Sequence, residues 1–118
     1  MHGYVIVFVG GGIGAALRHG VNLASLRLLG PGFPWGTLTV NVVGSLVMGL
    51  LAAWFALRGE ATEPWRLFLA TGILGGFTTF SAFSLDTMVM IERGQLLAAS
   101  GYVLASVIGS IAALAVGL

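Results

Sequence analysis

The sequence predicts an all-α membrane protein with four transmembrane helices, the third of them broken near mid-membrane. Composition is the first reason: 58% of the 118 residues are apolar and 8% are charged, and the mean hydropathy is +1.04. A soluble domain carries roughly a quarter charged residues, so this chain lacks the polar side chains to coat a water-facing globule. Length is the second reason. A span takes about 20 residues, and apolar segments over about 3–29, 34–57, 65–92 and 96–118 make a single four-span domain of residues 1–118. The third reason is the run Gly72 to Ser84 inside the third segment, which packs three glycines, four Ser or Thr hydroxyls and three phenylalanines together. Helix propensity does not favour such a run. A break at membrane depth is tolerated where the freed backbone is buried in protein or lines a cavity, and broken helices are where transporters place their ions.

The same numbers exclude several function classes. A formal charge of +1 and the absence of cysteine argue against a nucleic-acid partner, disulfides, thiolate metal sites and thiol catalysis. A cleaved leader is not expected, since the first apolar run begins almost at Met1 without a basic leading region. The run Gly10-Gly11-Gly12-Ile13-Gly14-Ala15 imitates a dinucleotide fingerprint, but no acidic residue precedes Glu60, and a fingerprint needs one about 20 residues on to hold a ribose.

Taken in order, the first span carries a small-residue face, Gly10 and Gly14 with Gly11 and Ala15, where another helix can approach closely. Arg18 follows an apolar run too short to span alone, so it lies inside the span or near its end. An arginine at depth costs about 3 kcal/mol or more unless it faces water or a partner. Arg18 therefore snorkels or faces a vestibule where it attracts anions. His19 reads as a wet interfacial residue, with no second ligand at helical spacing.

The second span opens on Pro34-Trp35, a proline in the first turn and an indole at the interface. Within it Thr37, Asn41 and Ser45 recur every fourth residue and share one face. Hydrocarbon cannot satisfy the Asn41 amide, so this stripe faces protein or a pore. A charged connection with Arg58, Glu60 and Glu63 leads to Pro64-Trp65-Arg66, a second proline and indole entry. Trp35, Trp54 and Trp65 are expected as belt anchors. Asp86 follows the break as the lone carboxylate of the apolar region, and pairing with an arginine is its expected role. In the fourth span Tyr102, Ser106 and Ser110 form a second hydroxyl stripe, and Gly101, Ala105 and Gly109 make an adjoining small face.

Two polar stripes, a broken helix and an inward arginine describe a route for a small ion. Amide, phenol and hydroxyl groups can all donate hydrogen bonds, and an aromatic ring is positive at its edge, so Phe80 and Phe83 fit an anion better than a cation.

These residues carry a family resemblance. Gly11-Gly12, Gly14-Ala15 and Arg18, then Gly36-Thr37-Leu38, Asn41 and Gly44-Ser45, then Gly75-Gly76-Phe77-Thr78-Thr79-Phe80-Ser81 with Phe83, resemble the signature of the Fluc (CrcB) fluoride channels over essentially the whole chain. The resemblance implies a passive fluoride channel of the cell (plasma or inner) membrane that lowers cytoplasmic fluoride. It implies an antiparallel, dual-topology homodimer with two pores and a structural sodium ion at its centre. Phe80 and Phe83 would line the pores edge-on and Asn41 would donate to fluoride. Arg18, Tyr102, Ser106 and Ser110 would line the approach, and the backbone carbonyls of Gly75 and Thr78 would hold the sodium. Ala82 stands where the family usually has a threonine, so Ser81 must carry more of the route. The competing reading is a small dual-topology, proton-coupled multidrug exporter. Such exporters resemble one another in a carboxylate in the first span, and this chain has none there.

Charge placement agrees with dual topology. With four spans, Arg58 and Arg66 fall on the side of the termini and Arg27 and Arg93 on the other, without a lysine anywhere. Arginine bias sets orientation, and here it is even.

Overall fold

The computed structural model describes residues 2–58 and 63–118. Every described element is helical: α1 (His2–Leu29), α2 (Trp35–Arg58), α3 (Glu63–Arg66), a π-helical stretch (Leu67–Leu74), α4 (Gly75–Phe77), α5 (Ser81–Glu92) and α6 (Leu96–Gly117). They make four membrane spans, His2–Leu29, Trp35–Leu57, Pro64–Glu92 and Leu96–Gly117. Each exceeds the about 20 residues that cross a bilayer. The third, at 29 residues, is long because it holds the break. Of the expected charged connection, Glu60 lies outside the described residues.

Glycine ends two of these helices. Gly30 after α1 and Gly94 after α5 have φ of 79° and 77°, a left-handed backbone that closes a helix without a Cβ penalty. The amide of Gly30 donates to Leu26 O at 3.0 Å, and that of Gly94 to Ile91 O at 3.0 Å. Trp35, Trp54 and Trp65 lie near span ends and are 40%, 49% and 60% exposed, as belt anchors require. Around the second connection the Arg66 guanidinium sits 5.9 Å over the Phe55 ring.

Packing divides the bundle into two tight pairs. α1 runs against the π-helical stretch and α4, α2 runs against α6, and α5 makes lighter contact with its neighbours. The first pair needs the small-residue face. A Cβ on Gly10 would come 2.8 Å from Phe68 O, one on Gly14 would strike Ile73 O, and one on Gly76 would strike Gly11 O. Backbone meets backbone here, as in other glycine-mediated membrane crossings. The second pair corrects the expectation for the fourth span. Gly101 faces open space, Gly109 touches only Val42, at 3.4 Å, and the closest approaches fall at Gly49 of α2 against Leu114 O and at Gly117 of α6 against Leu46 O. The reason is rotation: α6 turns Tyr102 and Ser106 inward, which leaves Gly101 and Ala105 on the outside.

Few side chains are fully enclosed. Val40 and Tyr102 are completely buried, while Phe8, Leu57 and Leu97 are more than four-fifths exposed. Apolar exposure of that kind carries no penalty in hydrocarbon, so these faces suit lipid or a second copy of the chain.

Candidate functional site

The break is narrower than the run that announces it. Gly75–Phe77 stays helical and Ser81–Glu92 resumes the helix, so the interruption is Thr78, Thr79 and Phe80. Thr78 takes an extended backbone, φ −87° and ψ 158°. Its hydroxyl folds back onto Leu74 O at 2.9 Å, and its methyl packs into the space that Gly44 leaves on α2. Thr79 is held from α2 at both ends of its peptide unit. Asn41 Nδ2 donates to Thr79 O at 2.9 Å, and the Thr79 amide donates to Asn41 Oδ1 at 2.8 Å. The Thr79 hydroxyl in turn accepts from the Ala82 amide at 3.3 Å, the geometry of an N-cap three residues ahead. On the other flank Arg18 Nε donates to Gly76 O at 3.1 Å. Two residues distant in the chain, Arg18 and Asn41, thus hold the break and the turn that leads into it.

Beside the break lies an open groove of about 460 Å³. Asn41 and Ser45 of α2 line it, together with Phe80 and Phe83 and with Ser106 and Ser110 of α6. Gly75, Thr78 and Thr79 form its floor, and its lining includes no charged side chain. Both polar stripes therefore converge where their fourfold spacing pointed. Ser106 is 6% exposed, and its Oγ has no hydrogen-bond partner among the described residues. A buried hydroxyl left unpaired costs about 1–3 kcal/mol. Phe80 is 75% exposed, which leaves the groove open along one flank.

Above the groove the aromatics form a chain. Phe80 and Phe83 have centroids 5.6 Å apart at 46°, Phe83 and Tyr102 lie 5.2 Å apart at 42°, and Phe33 meets Tyr102 edge-on at 5.4 Å. The Tyr102 hydroxyl donates to Asp86 Oδ2 at 3.0 Å. This corrects the expected arginine pairing of Asp86: α5 packs beside α6, and the phenol is the donor within reach. Ser84 and Thr87 turn their hydroxyls onto Phe80 O and Phe83 O, at 3.0 and 2.8 Å, which satisfies them within α5.

The combination of a hydroxyl-lined groove, a clamped break and a glycine-docked first helix can be compared with known proteins. The sequence profile of the family described as CrcB-like protein, Camphor Resistance (CrcB), matches residues 5–118. The chain belongs to the CrcB family. Curated CrcB-family relatives cover it almost entirely. A protein of Methylobacterium nodulans named fluoride-specific ion channel FluC is 59% identical over 97% of this chain and 91% of its own length. One of Mesorhizobium japonicum with the same name is 59% identical over 100% and 94%. The FluC 2 protein of Nitrobacter hamburgensis is 54% identical over 98% and 93%. The chain is a multi-pass integral membrane protein, with four helices long and apolar enough to cross a bilayer.

Of the residues singled out from the sequence, Asn41, Phe80, Phe83, Ser106 and Ser110 meet in the groove, with Gly75 and Thr78 beside them. Arg18, Ser81 and Tyr102 lie outside it. Arg18 is half-buried against the break, while His19 is exposed. Ser81 is exposed and pairs with Thr79 across the turn, Oγ to Oγ1 at 3.4 Å. Thr79 and Ser45 join the site although neither was assigned to it. Ser45 had a signal, its place in the α2 stripe; Thr79 had only its place in the motif.

Proposed function

We propose that the chain is a passive, fluoride-selective channel of the cell membrane, not an enzyme, and that it works as an antiparallel homodimer with two pores. The observation that carries this reading is the buried Ser106 hydroxyl, without a hydrogen-bond partner among the described residues, in a groove whose lining holds no charged side chain. A donor with nothing to donate to suits an anion. Asn41 has a second Nδ2 hydrogen beyond the one given to Thr79, and Ser110 and the edges of Phe80 and Phe83 add positive potential. Fluoride is tightly hydrated and leaves water only where donors replace its shell. Donors without a full charge allow entry without trapping the ion. The names of the curated relatives support the same substrate.

The groove is open at Phe80, and a pore must be walled, so a second copy would close it. Inversion about a two-fold axis repeats the groove in each copy, and the even arginine count supports both insertions. Arg18, Tyr102 and Ser81 would then line the approaches. A sodium ion on the axis would be structural. Its fit rests on the break: neither Gly75 O nor Thr78 O accepts a hydrogen bond from the described residues, and the Thr78 hydroxyl is spent on Leu74 O. Carbonyls would therefore hold the ion, which would neutralise the concentrated backbone dipoles where the copies meet. The proton-coupled exporter reading loses support, because α1 carries no carboxylate and Asp86 is occupied by Tyr102.

The test is anion efflux from liposomes holding only the purified protein, with a potassium ionophore to balance charge. Fluoride should leave rapidly and chloride scarcely at all, and Phe80→Ile, which keeps bulk but removes the ring edge, should slow fluoride. Equal chloride efflux, or fluoride movement that needs a proton gradient with charge balanced, would refute the channel.

A further inference from the structure

Helical continuation through the break would send the amide of Thr79 to Gly75 O, that of Phe80 to Gly76 O and that of Ala82 to Thr78 O, four residues back in each case. None of these bonds forms. The Thr79 amide goes to Asn41 Oδ1 at 2.8 Å, and the Ala82 amide goes to Thr79 Oγ1 at 3.3 Å. Gly76 O, having lost its helical donor, takes Arg18 Nε at 3.1 Å. Two side chains thus capture the donors of two carbonyls, and a third side chain fills the carbonyl between them.

We infer that Asn41 and Thr79 are positioning residues for a cation site: by diverting the amides of Thr79 and Ala82 they keep Gly75 O and Thr78 O free to face an ion. The inference rests on the sodium reading above and adds to it which side chains build the site. Arg18 occupies Gly76 O, which withdraws that carbonyl, next to Gly75, from the ion. Gly75 is exposed, and the nearest atom to a Cβ built on it is Ala70 O at 3.8 Å, so the residue is not packed against another helix of its own copy. Asn41 belongs to both ion sites at once. Its Oδ1 and one Nδ2 hydrogen hold Thr79 in place, and its remaining hydrogen is available to the groove.

The consequence is specific to atoms. Sodium binding should follow the acceptor at position 41 and the hydroxyl at position 79, independently of fluoride conduction. Asn41→Asp keeps an acceptor for the Thr79 amide while placing a negative charge in the groove. Asn41→Leu keeps bulk and loses the acceptor. Thr79→Ser keeps the capping hydroxyl, and Thr79→Val removes it with almost no change in shape, which guards against the larger change at Asn41 preventing folding.

The measurement is the unfolding temperature of the purified full-length protein as sodium is titrated against a bulky organic cation at constant ionic strength and without fluoride. A ligand that binds the folded state stabilises it by RT ln(1 + c/Kd) at free concentration c, so the unfolding temperature begins to climb once its concentration passes Kd. The sodium concentration at which the temperature begins to climb should stay within about twofold of wild type in Asn41→Asp and Thr79→Ser. It should rise about tenfold in Asn41→Leu and Thr79→Val, the equivalent of one lost positioning hydrogen bond. A sodium shift that is unchanged in Asn41→Leu and Thr79→Val would overturn the inference and leave the sodium site standing. A wild type with no sodium-dependent shift would overturn the sodium site and this inference with it.

Discussion

The two polar stripes have the same spacing and opposite fates. On α2, the partly buried Asn41 is engaged on both sides of its amide by the Thr79 backbone; on α6, Ser106 is more deeply buried and its hydroxyl has no hydrogen-bond partner among the described residues. A polar side chain inside a membrane protein can satisfy the backbone of a neighbouring element or wait for something that passes. Periodicity places both in the interior and does not distinguish the two uses. Their hydrogen-bond partners do. If this division is right, substitutions on the two stripes separate stability from flux.

The largest effect should come from Asn41→Leu, which would strip two hydrogen bonds from the break and one donor from the groove. Each backbone group left unpaired costs about 1–3 kcal/mol, so for the two groups stability should fall by about 2–6 kcal/mol. Fluoride efflux should fall about 100-fold, as a barrier raised by about 3 kcal/mol implies. Unchanged stability would show that the Thr79 clamp is dispensable. Tyr102→Phe comes next. It leaves the Asp86 carboxylate without its phenol donor, a loss of about 1–3 kcal/mol, visible as a lower unfolding temperature, with flux reduced a few-fold. Full retention of stability would place Asp86 in contact with another donor in the assembled protein.

Arg18→Gln should be smallest. The guanidinium is half-buried and its Nε is committed to Gly76 O, so its long-range attraction for anions acts through a charge screened by salt over about 10 Å at 0.1 M. Efflux should drop a few-fold at low ionic strength and converge on wild type at high ionic strength. A deficit independent of salt would assign Arg18 to the break alone.

Much of the fold was legible because hydrocarbon imposes it. Span positions follow from hydropathy, and the close docking of α1 follows from Gly10 and Gly14. The location of the break within Gly72 to Ser84 was not legible, because Gly75 and Gly76 remain helical and Gly76 serves the contact with α1 instead. What interrupts the helix is capture of amides, one of them by Asn41, 38 residues earlier, and no local propensity contains that. Asp86 was assigned to an arginine because opposite charges are the simplest partners at depth, whereas the packing of α5 on α6 brings Tyr102. Ser81 looked like a groove residue from its place in the motif, but the turn after Thr79 points it outward. The π-helical winding of Leu67–Leu74 has no marker in the local residues.

Ser106→Ala tests the account most directly when flux and stability are measured on the same preparation. Removing a buried hydroxyl that has no partner among the described residues should not lower the unfolding temperature and should raise it by up to several degrees. Fluoride efflux from liposomes should fall about tenfold, the loss of one hydrogen bond to an ion in passage. A protein that loses stability and keeps its fluoride efflux would contradict the reading of this groove as the anion's route.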